Sequence, residues 1–235
     1  MNLSLDQFID IVKARRSTRH FEPKAVAPEL LEQLLEAARW SPSGFNLQPT
    51  HFVVVTDQAL KEKLYPACMK QRQVLDAGAV VVFTGDRDVV THHFEKMLRR
   101  DREAKAINAD YEKLLRKNVS LSFNRGFLGF GFLWKLAAET IVGRFVPIPK
   151  LQAVHRDYWL AKQVSIAAQT FMLAAEFAGL ATCPMEAFSE RAVQKILGIP
   201  RNQAVILIVP VGYANNSAQT KTRLSLAELV HHNSW

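Results

Sequence analysis

The stretch LAKQVSIAAQTFMLAAEFAGL, Leu160–Leu180, decides the fold class. It is nearly apolar all round, with Lys162 and Glu176 as its only charges. A helix of that pattern is normally buried. Gly179 suits its C′ position, where the chain leaves a helix in a left-handed conformation. A buried helix needs something to pack on. The chain offers short, isolated runs rich in β-branched residues: HFVVVT (51–56), AVVVFTG (79–85) and AVILIVPVGY (204–213), the last interrupted by Pro210. These runs do not repeat as strand–helix–strand units joined by a glycine-rich turn. The expected class is α+β, a small sheet packed among many helices.

Outward from that core the chain reads as helical. Leu5, Phe8, Ile9 and Val12 share one face of an N-terminal helix that Ser4 and Gln7 can box at its start and that ends near Arg16. Pro28 opens a second helix, with Leu30, Leu31, Leu34, Leu35 and Ala38 as its apolar face. Residues 57–76 and Val89 to about Lys117 are expected to be helical. The charged run RRDREAKAINADYEKLLRK in the second of these reads as a solvated face laced with ion pairs. SERAVQKILG (189–198) is a short amphipathic helix capped by Ser189 and stopped by Gly198, and AQTKTRLSLAELV (218–230) ends the fold. At 235 residues a single domain over 1–235 is expected, with an excursion at about 90–150.

Composition narrows the function classes. A formal net charge of +8 fits nucleic acid, an anionic membrane or an anionic small molecule, and does not choose among them. No zinc-finger, RNP or basic-zipper pattern is present, so no nucleic-acid partner is expected. The two cysteines, Cys68 and Cys183, are far apart and lack a CxxC partner, which argues against a disulfide framework or a structural zinc and fits a reducing cytosol. MNLSLDQFIDIVKARR carries Asp6 and Asp10 without a continuous apolar core, so it reads as neither a signal nor a transit peptide, and a cytoplasmic location is expected.

FNRGFLGFGFLWKLAAETIVGRFVPIPK (123–150) gathers Phe123, Phe127, Phe130, Phe132, Trp134 and Phe145 with several glycines. Lys135, Glu139 and Arg144 interrupt it, which does not suit a membrane span. Three readings stand open: a core or dimer-interface helix with an irregular loop, an aromatic lid over a pocket, and a membrane-surface patch.

Several short stretches carry chemistry. RRSTRHF places Arg15, Arg16, Ser17 and Arg19 at the end of a helix. Arginines there suit the helix dipole, and the same cluster is a phosphate or carboxylate clamp. TKTRL puts Lys221 and Arg223 two apart, a second small cationic claw if the chain is extended. SPSGFNLQP (41–49) is a loop by its prolines and glycine, yet a plain connector needs neither Asn46 nor Gln48. GLATCPMEAF (179–188) holds Cys183, which reads as a small buried residue, and Glu186, which lacks a second carboxylate at fixed spacing. The seven histidines form no HExxH or comparable ligand pattern, and the pairs at 92–93 and 231–232 would point to different helix faces, so no catalytic metal is expected. No GxGxxG, GxxxxGK[ST] or GxSxG occurs.

Together, RRSTRHF, SPSGFNLQP, YWLAKQVSIAAQ, GLATCPMEAF and TKTRLSLAELV resemble, in order and spacing, the FMN-dependent nitroreductase family over roughly residues 5–230. The resemblance implies an α+β homodimer with a small, mostly antiparallel central sheet and FMN at the subunit interface. Arg15, Arg16, Ser17 and Arg19 would hold the ribityl phosphate and adjoining flavin, with Lys221 and Arg223 completing the clamp. Ser41, Pro42, Ser43, Gly44 and Asn46 would reach the flavin from the partner subunit. Pro184, Met185 and Glu186 would line the ring near N5, largely through backbone groups, and Gln73 would bond its pyrimidine edge. The aromatic residues Phe123, Phe127, Phe130, Trp134 and Phe145 would fall in the family's variable substrate-pocket segment.

The implied activity is NAD(P)H-dependent, ping-pong reduction of a nitroaromatic, quinone or similar flat small-molecule acceptor, with no side-chain nucleophile. Related scaffolds carry flavin destruction, reductive dehalogenation and dehydrogenation. A basic, non-enzymatic interaction protein is the reading outside the family. Two positions depart from the family pattern: Lys70 where many members have Asn, and Ala187 where Gly is common. Because Ala tolerates positive φ poorly, a differently shaped loop is expected beside Glu186.

Overall fold

A computed structural model describes residues 4–126, 131–147, 149–215 and 220–235. In chain order the elements are α1 (Leu5–Ala14), α2 (Pro28–Arg39), a 3-10 turn (Gly44–Asn46), β1 (Thr50–Val55), α3 (Gln58–Ala67), α4 (Gln73–Asp76) and β2 (Ala79–Asp86). A π-helical turn (Val90–Phe94) then leads to α5 (Glu95–Glu103), α6 (Ala109–Phe123), α7 (Gly131–Ile141) and α8 (Arg156–Phe177). The chain ends with β3 (Ala181–Thr182), α9 (Glu190–Leu197), β4 (Gln203–Gly212) and α10 (Leu226–Leu229).

The sheet has four strands in the order β1-β2-β4-β3, and every pair is antiparallel. Every residue of β2 is buried, because both faces of the sheet are covered. Alternation sends Val80 and Val82 into one layer with Leu64, Val193 and Ile208, and Val81 and Phe83 into the other. That second layer meets Val164, Ala168, Phe171, Met172 and Ala175 of α8, and Leu31, Leu34 and Ala38 of α2. A third cluster under the excursion joins Leu47, Phe94, Leu98, Leu115, Val119 and Trp159. None of the described helices is long and apolar enough to cross a membrane.

The caps follow the expected chemistry. Ser4 and Gln7 form a capping box on α1, Ser189 caps α9, and Gly198 ends it at φ 67°. Gly179 has φ 74° just beyond α8. Four expectations need correcting. The helical stretch 57–76 breaks after Cys68, where Met69 and Lys70 both take φ 53°. The stretch from Val89 to Lys117 breaks at Lys105, with φ 54°, and restarts at Asn108, whose side chain caps α6. The interruption at Pro210 is absent: β4 runs through it, paired to Val80. In an antiparallel strand a residue's N–H and C=O point to the same side. The Pro210 carbonyl accepts from Cys183 at 3.1 Å, so its missing N–H faces the β3 edge and leaves the ladder with β2 intact. Finally, α8 is buried along one face only, and Ile166 and Phe177 stand 41% and 61% exposed.

Candidate cofactor site

The arginine cluster is positioned by the end of α1 and by the edge of the sheet. Ser17 bridges Thr182 of β3, and Thr18 N donates to Thr182 O at 2.9 Å. This stitching lays RRSTRHF beside GLATCPMEAF. Arg15 and Arg19 lie close enough to Cys183 to oppose the upward push of burial on its thiol. Lys221 crosses from the C-terminal segment and donates to the carbonyls of Lys13 and Arg15, the second at 2.6 Å. These are open carbonyls at the end of α1, where a cation is favoured. Burial, then the nearby Arg16, Arg15 and Arg223, hold the Lys221 ammonium below its ordinary range. Four cations therefore converge on one surface. Within it, Nη1 of Arg15 and Oγ1 of Thr182 are buried without a hydrogen-bond partner among the described residues.

Behind this cluster, Gln73 is buried at the start of α4. Its Nε2 donates to Gln71 Oε1 at 2.9 Å and lies 3.8 Å from Cys183 Sγ, while Gln71 Nε2 donates to Ala187 O at 3.1 Å. Met185 is more committed than its sequence reading implies. Its side chain is in the core, and its N–H and C=O both pair with Ile208. Glu186 is exposed, and its N–H has no partner among the described residues. Ala187 is absent from the residues at positive φ, so its side chain is accommodated without left-handed strain. The positive φ falls at Lys70 instead.

The loop 41–49 forms a second, separate surface. Ser41 Oγ donates to Thr170 Oγ1 at 2.9 Å, Gly44 N to Gln163 Oε1 at 2.8 Å, and Gln48 N to Ser43 Oγ at 2.9 Å. These bonds hold Phe45, Asn46 and Gln48 at φ 57°, 52° and 50°, three left-handed non-glycine residues on either side of a right-handed Leu47. Ser41, Pro42, Ser43 and Asn46 line a cleft of about 600 Å³ whose wall also carries Arg39, Lys96 and Arg100. Phe123 packs edge-on against Phe45 and Trp159, with centroids 6.1 and 5.1 Å away. Trp134 and Phe145 are 62% and 83% exposed, so among the described residues they do not cover a pocket. Phe127 and Phe130 lie outside the described residues.

The two surfaces occupy opposite corners of the sheet. The arginine cluster sits at β3, beside Val211 and Gly212 at the far end of β4. The loop leads into β1 at Thr50, which pairs with Gly85 at the other end of the ladder and on the other edge. Strand spacing across three intervals and rise along the ladder put the corners roughly 25 Å apart.

A four-stranded antiparallel sheet wrapped in helices, with a cationic cradle at one corner, defines an α+β scaffold of the nitroreductase-like kind. The chain belongs to the nitroreductase family: the family's sequence model matches residues 12–213. It is 28% identical over 207 residues to MhqN of Bacillus subtilis, which carries an NAD(P)H nitroreductase name, covering 88% of each chain. The solved structure of the nitroreductase ydfN, also from Bacillus subtilis, superposes with a TM-score of 0.78 at 25% identity, over 97% of this chain and 100% of that one. A nitroreductase from Exiguobacterium sibiricum, solved in complex with FMN, shares the fold with a TM-score of 0.73 at 20% identity, over 96% and 97% of the two chains.

Proposed function

We propose that this chain is an FMN-dependent oxidoreductase that takes reducing equivalents from NAD(P)H, acts as a homodimer and reduces a flat conjugated acceptor such as a nitroaromatic or a quinone. The observation that carries the reading is Arg15 Nη1, a buried guanidinium nitrogen without a partner among the described residues, set among Arg16, Lys221 and Arg223. Such a group fits a phosphate, whose oxygens would supply the missing acceptors. FMN, when bound, supplies the ring that accepts and returns the hydride.

The chain's own residues supply binding, orientation and electrostatics. Arg15, Arg16, Ser17 and Arg19 would hold the phosphate end, with Arg223 beside them. Lys221 adds charge and fixes the loop through the Lys13 and Arg15 carbonyls. The Glu186 N–H and the Gln73 side chain would serve the ring, where donors stabilise negative charge that builds on reduction. Ser41, Pro42, Ser43, Gly44 and Asn46 would close the site from the second copy. Two features support that copy: the separation of the two surfaces within one protomer, and the exposed apolar face of α1. Leu5, Phe8 and Val12 are 72%, 43% and 41% exposed, and no residue of α1 is buried.

Flavin-stripped protein titrated with FMN tests the reading. One FMN per chain is expected, and Arg15→Ala should weaken binding roughly ten- to hundredfold, the loss of one charge-assisted hydrogen bond. Arg15→Lys should fall between the two. A protein that takes up no FMN and oxidises no NAD(P)H in the presence of a quinone would overturn the proposal.

A further inference from the structure

A group of chemistry-bearing side chains lies apart from the arginine cradle. His51 on β1, Asp86 at the end of β2 and His93 in the π-helical turn each bring one ligand atom within 4.8 Å of the others. π-helical turns are rare and recur at functional sites. Asp86 is 1% exposed. Its Oδ1 accepts from Asp88 N at 2.8 Å and its Oδ2 lies 2.6 Å from His92 Nδ1. A carboxylate so buried and so held is a fixed oxygen donor. His93 is fixed as well. Its Nδ1 lies 3.1 Å from Leu47 O and 3.0 Å from Gln48 O. Two carbonyls need a donor, so Nδ1 carries the hydrogen and Nε2 of the neutral ring keeps its lone pair. A ring N–H donating to a backbone carbonyl is how proteins orient a histidine toward a metal. The His51 ring sits 5.3 Å from the His93 ring and makes no hydrogen bond among the described residues.

We propose that His51, Asp86 and His93 form a binding site for a first-row divalent transition-metal ion, with zinc the best match. Two imidazoles and one carboxylate are a donor set for such ions, and three protein ligands leave a coordination position for water. Zinc bonds of about 2.0–2.1 Å put tetrahedral ligand atoms roughly 3.4 Å apart, so the side chains must draw in by up to about 1.4 Å. The His51 side chain, exposed and without a hydrogen bond among the described residues, has the freedom to do so. The ion would be a brace. Through His93 it would tie the carbonyls of Leu47 and of left-handed Gln48, in the 41–49 loop, to both β1 and β2. Sequence spacing hides the group because its members come from three separate segments, and His92, next to His93, is turned to Asp86 as a partner.

Full-length, untagged, chelator-treated protein, with its flavin content left as purified, is titrated with Co²⁺ followed by its d–d absorption and with Zn²⁺ followed by calorimetry. One equivalent per chain is expected. His51→Ala, at an exposed position whose ring bears no hydrogen bond among the described residues, should weaken Zn²⁺ at least about tenfold without unfolding the chain. Asp86→Asn should act in the same direction, and His51→Ala alone decides the matter if that variant fails to fold. His231→Ala with His232→Ala should leave affinity unchanged. Zinc should slow amide exchange across residues 44–50 in the wild type and not in His51→Ala. Absence of stoichiometric binding, equal affinity in His51→Ala, or loss of binding on removing His231 and His232 would each overturn the site.

Discussion

Cys68 shows how burial sets the behaviour of a single residue. Its side chain is fully enclosed between α3 and the sheet, and burial pushes its thiol up to about 11. In the unfolded chain it would ionise near the ordinary thiol value, about 9. The folded state therefore favours the protonated thiol. That contribution is fully present below about pH 9 and is lost as pH rises from about 9 to about 11. Two pKa units correspond to about 3 kcal/mol as an upper bound. Urea unfolding of the wild type and of Cys68→Ala, at about pH 8 and about pH 10.5, should show the wild type losing more stability than the variant across that interval. The cavity left by the variant costs the same at both pH values, so parallel losses would contradict the assignment. Gly78 makes a different, steric demand. A Cβ there would meet Lys24 O at 2.6 Å and the Val26 backbone N at 3.1 Å. Lys24 O belongs to the backbone and cannot swing aside as a flexible side chain could, so Gly78→Ala forces the backbone apart.

At the scale of elements, the caps separate strong from weak local control. Asp57 accepts from Leu60 N at 2.7 Å at the start of α3, whereas Ser189 accepts from Ala192 N at 3.4 Å at the start of α9. Asp57 also places a charge at the positive end of the helix dipole. Asp57→Ala should therefore cost about 1 kcal/mol or somewhat more, and Ser189→Ala clearly less, both read as shifts in urea midpoint. Apolar periodicity, with the Ser4 box, Pro28 at a helix start, Gly179 and Ser189 as boundary signals, is what made α1, α2, α8, α9, β1, β2 and β4 legible in the sequence. The misses share a different cause. The breaks at Met69–Lys70 and at Lys105 put lysine and methionine in a left-handed conformation that glycine or asparagine would have announced. Two-residue β3 exists only because β4 and Ser17 pair with it, and periodicity cannot register so short a strand. Pro210 was misleading because its effect depends on which side of the strand lacks the donor, a tertiary fact. In the candidate site, the arginines, Lys221 and the 41–49 loop were legible as motifs, but the full pairing of the Met185 backbone with Ile208 was not.

At the scale of the whole molecule, the sheet order turns a list of motif residues into a statement about assembly. One protomer carries the cationic cradle at the β3 corner and the 41–49 loop at the β1 corner. If each flavin needs one corner from each chain, defects in the two corners should complement. Arg15→Ala disables the cradle. Pro42→Asp places a carboxylate on the loop wall at an exposed position, so the chain should still fold. Each homodimer then has two damaged sites. A heterodimer of the two has one site with both defects and one with neither. Random pairing of equal amounts makes half of the dimers mixed, so co-expression should restore FMN binding to about one quarter of the wild-type level. Separately purified variants should show far less. An acidic substitution on the apolar face of α1, Phe8→Glu, should abolish the recovery by opposing association, because Phe8 is 43% exposed in the protomer and would be desolvated in a dimer. FMN content and sedimentation of the co-expressed pair measure both effects. A site built within one chain would give no recovery on co-expression, since every chain would carry its own defect into its own site.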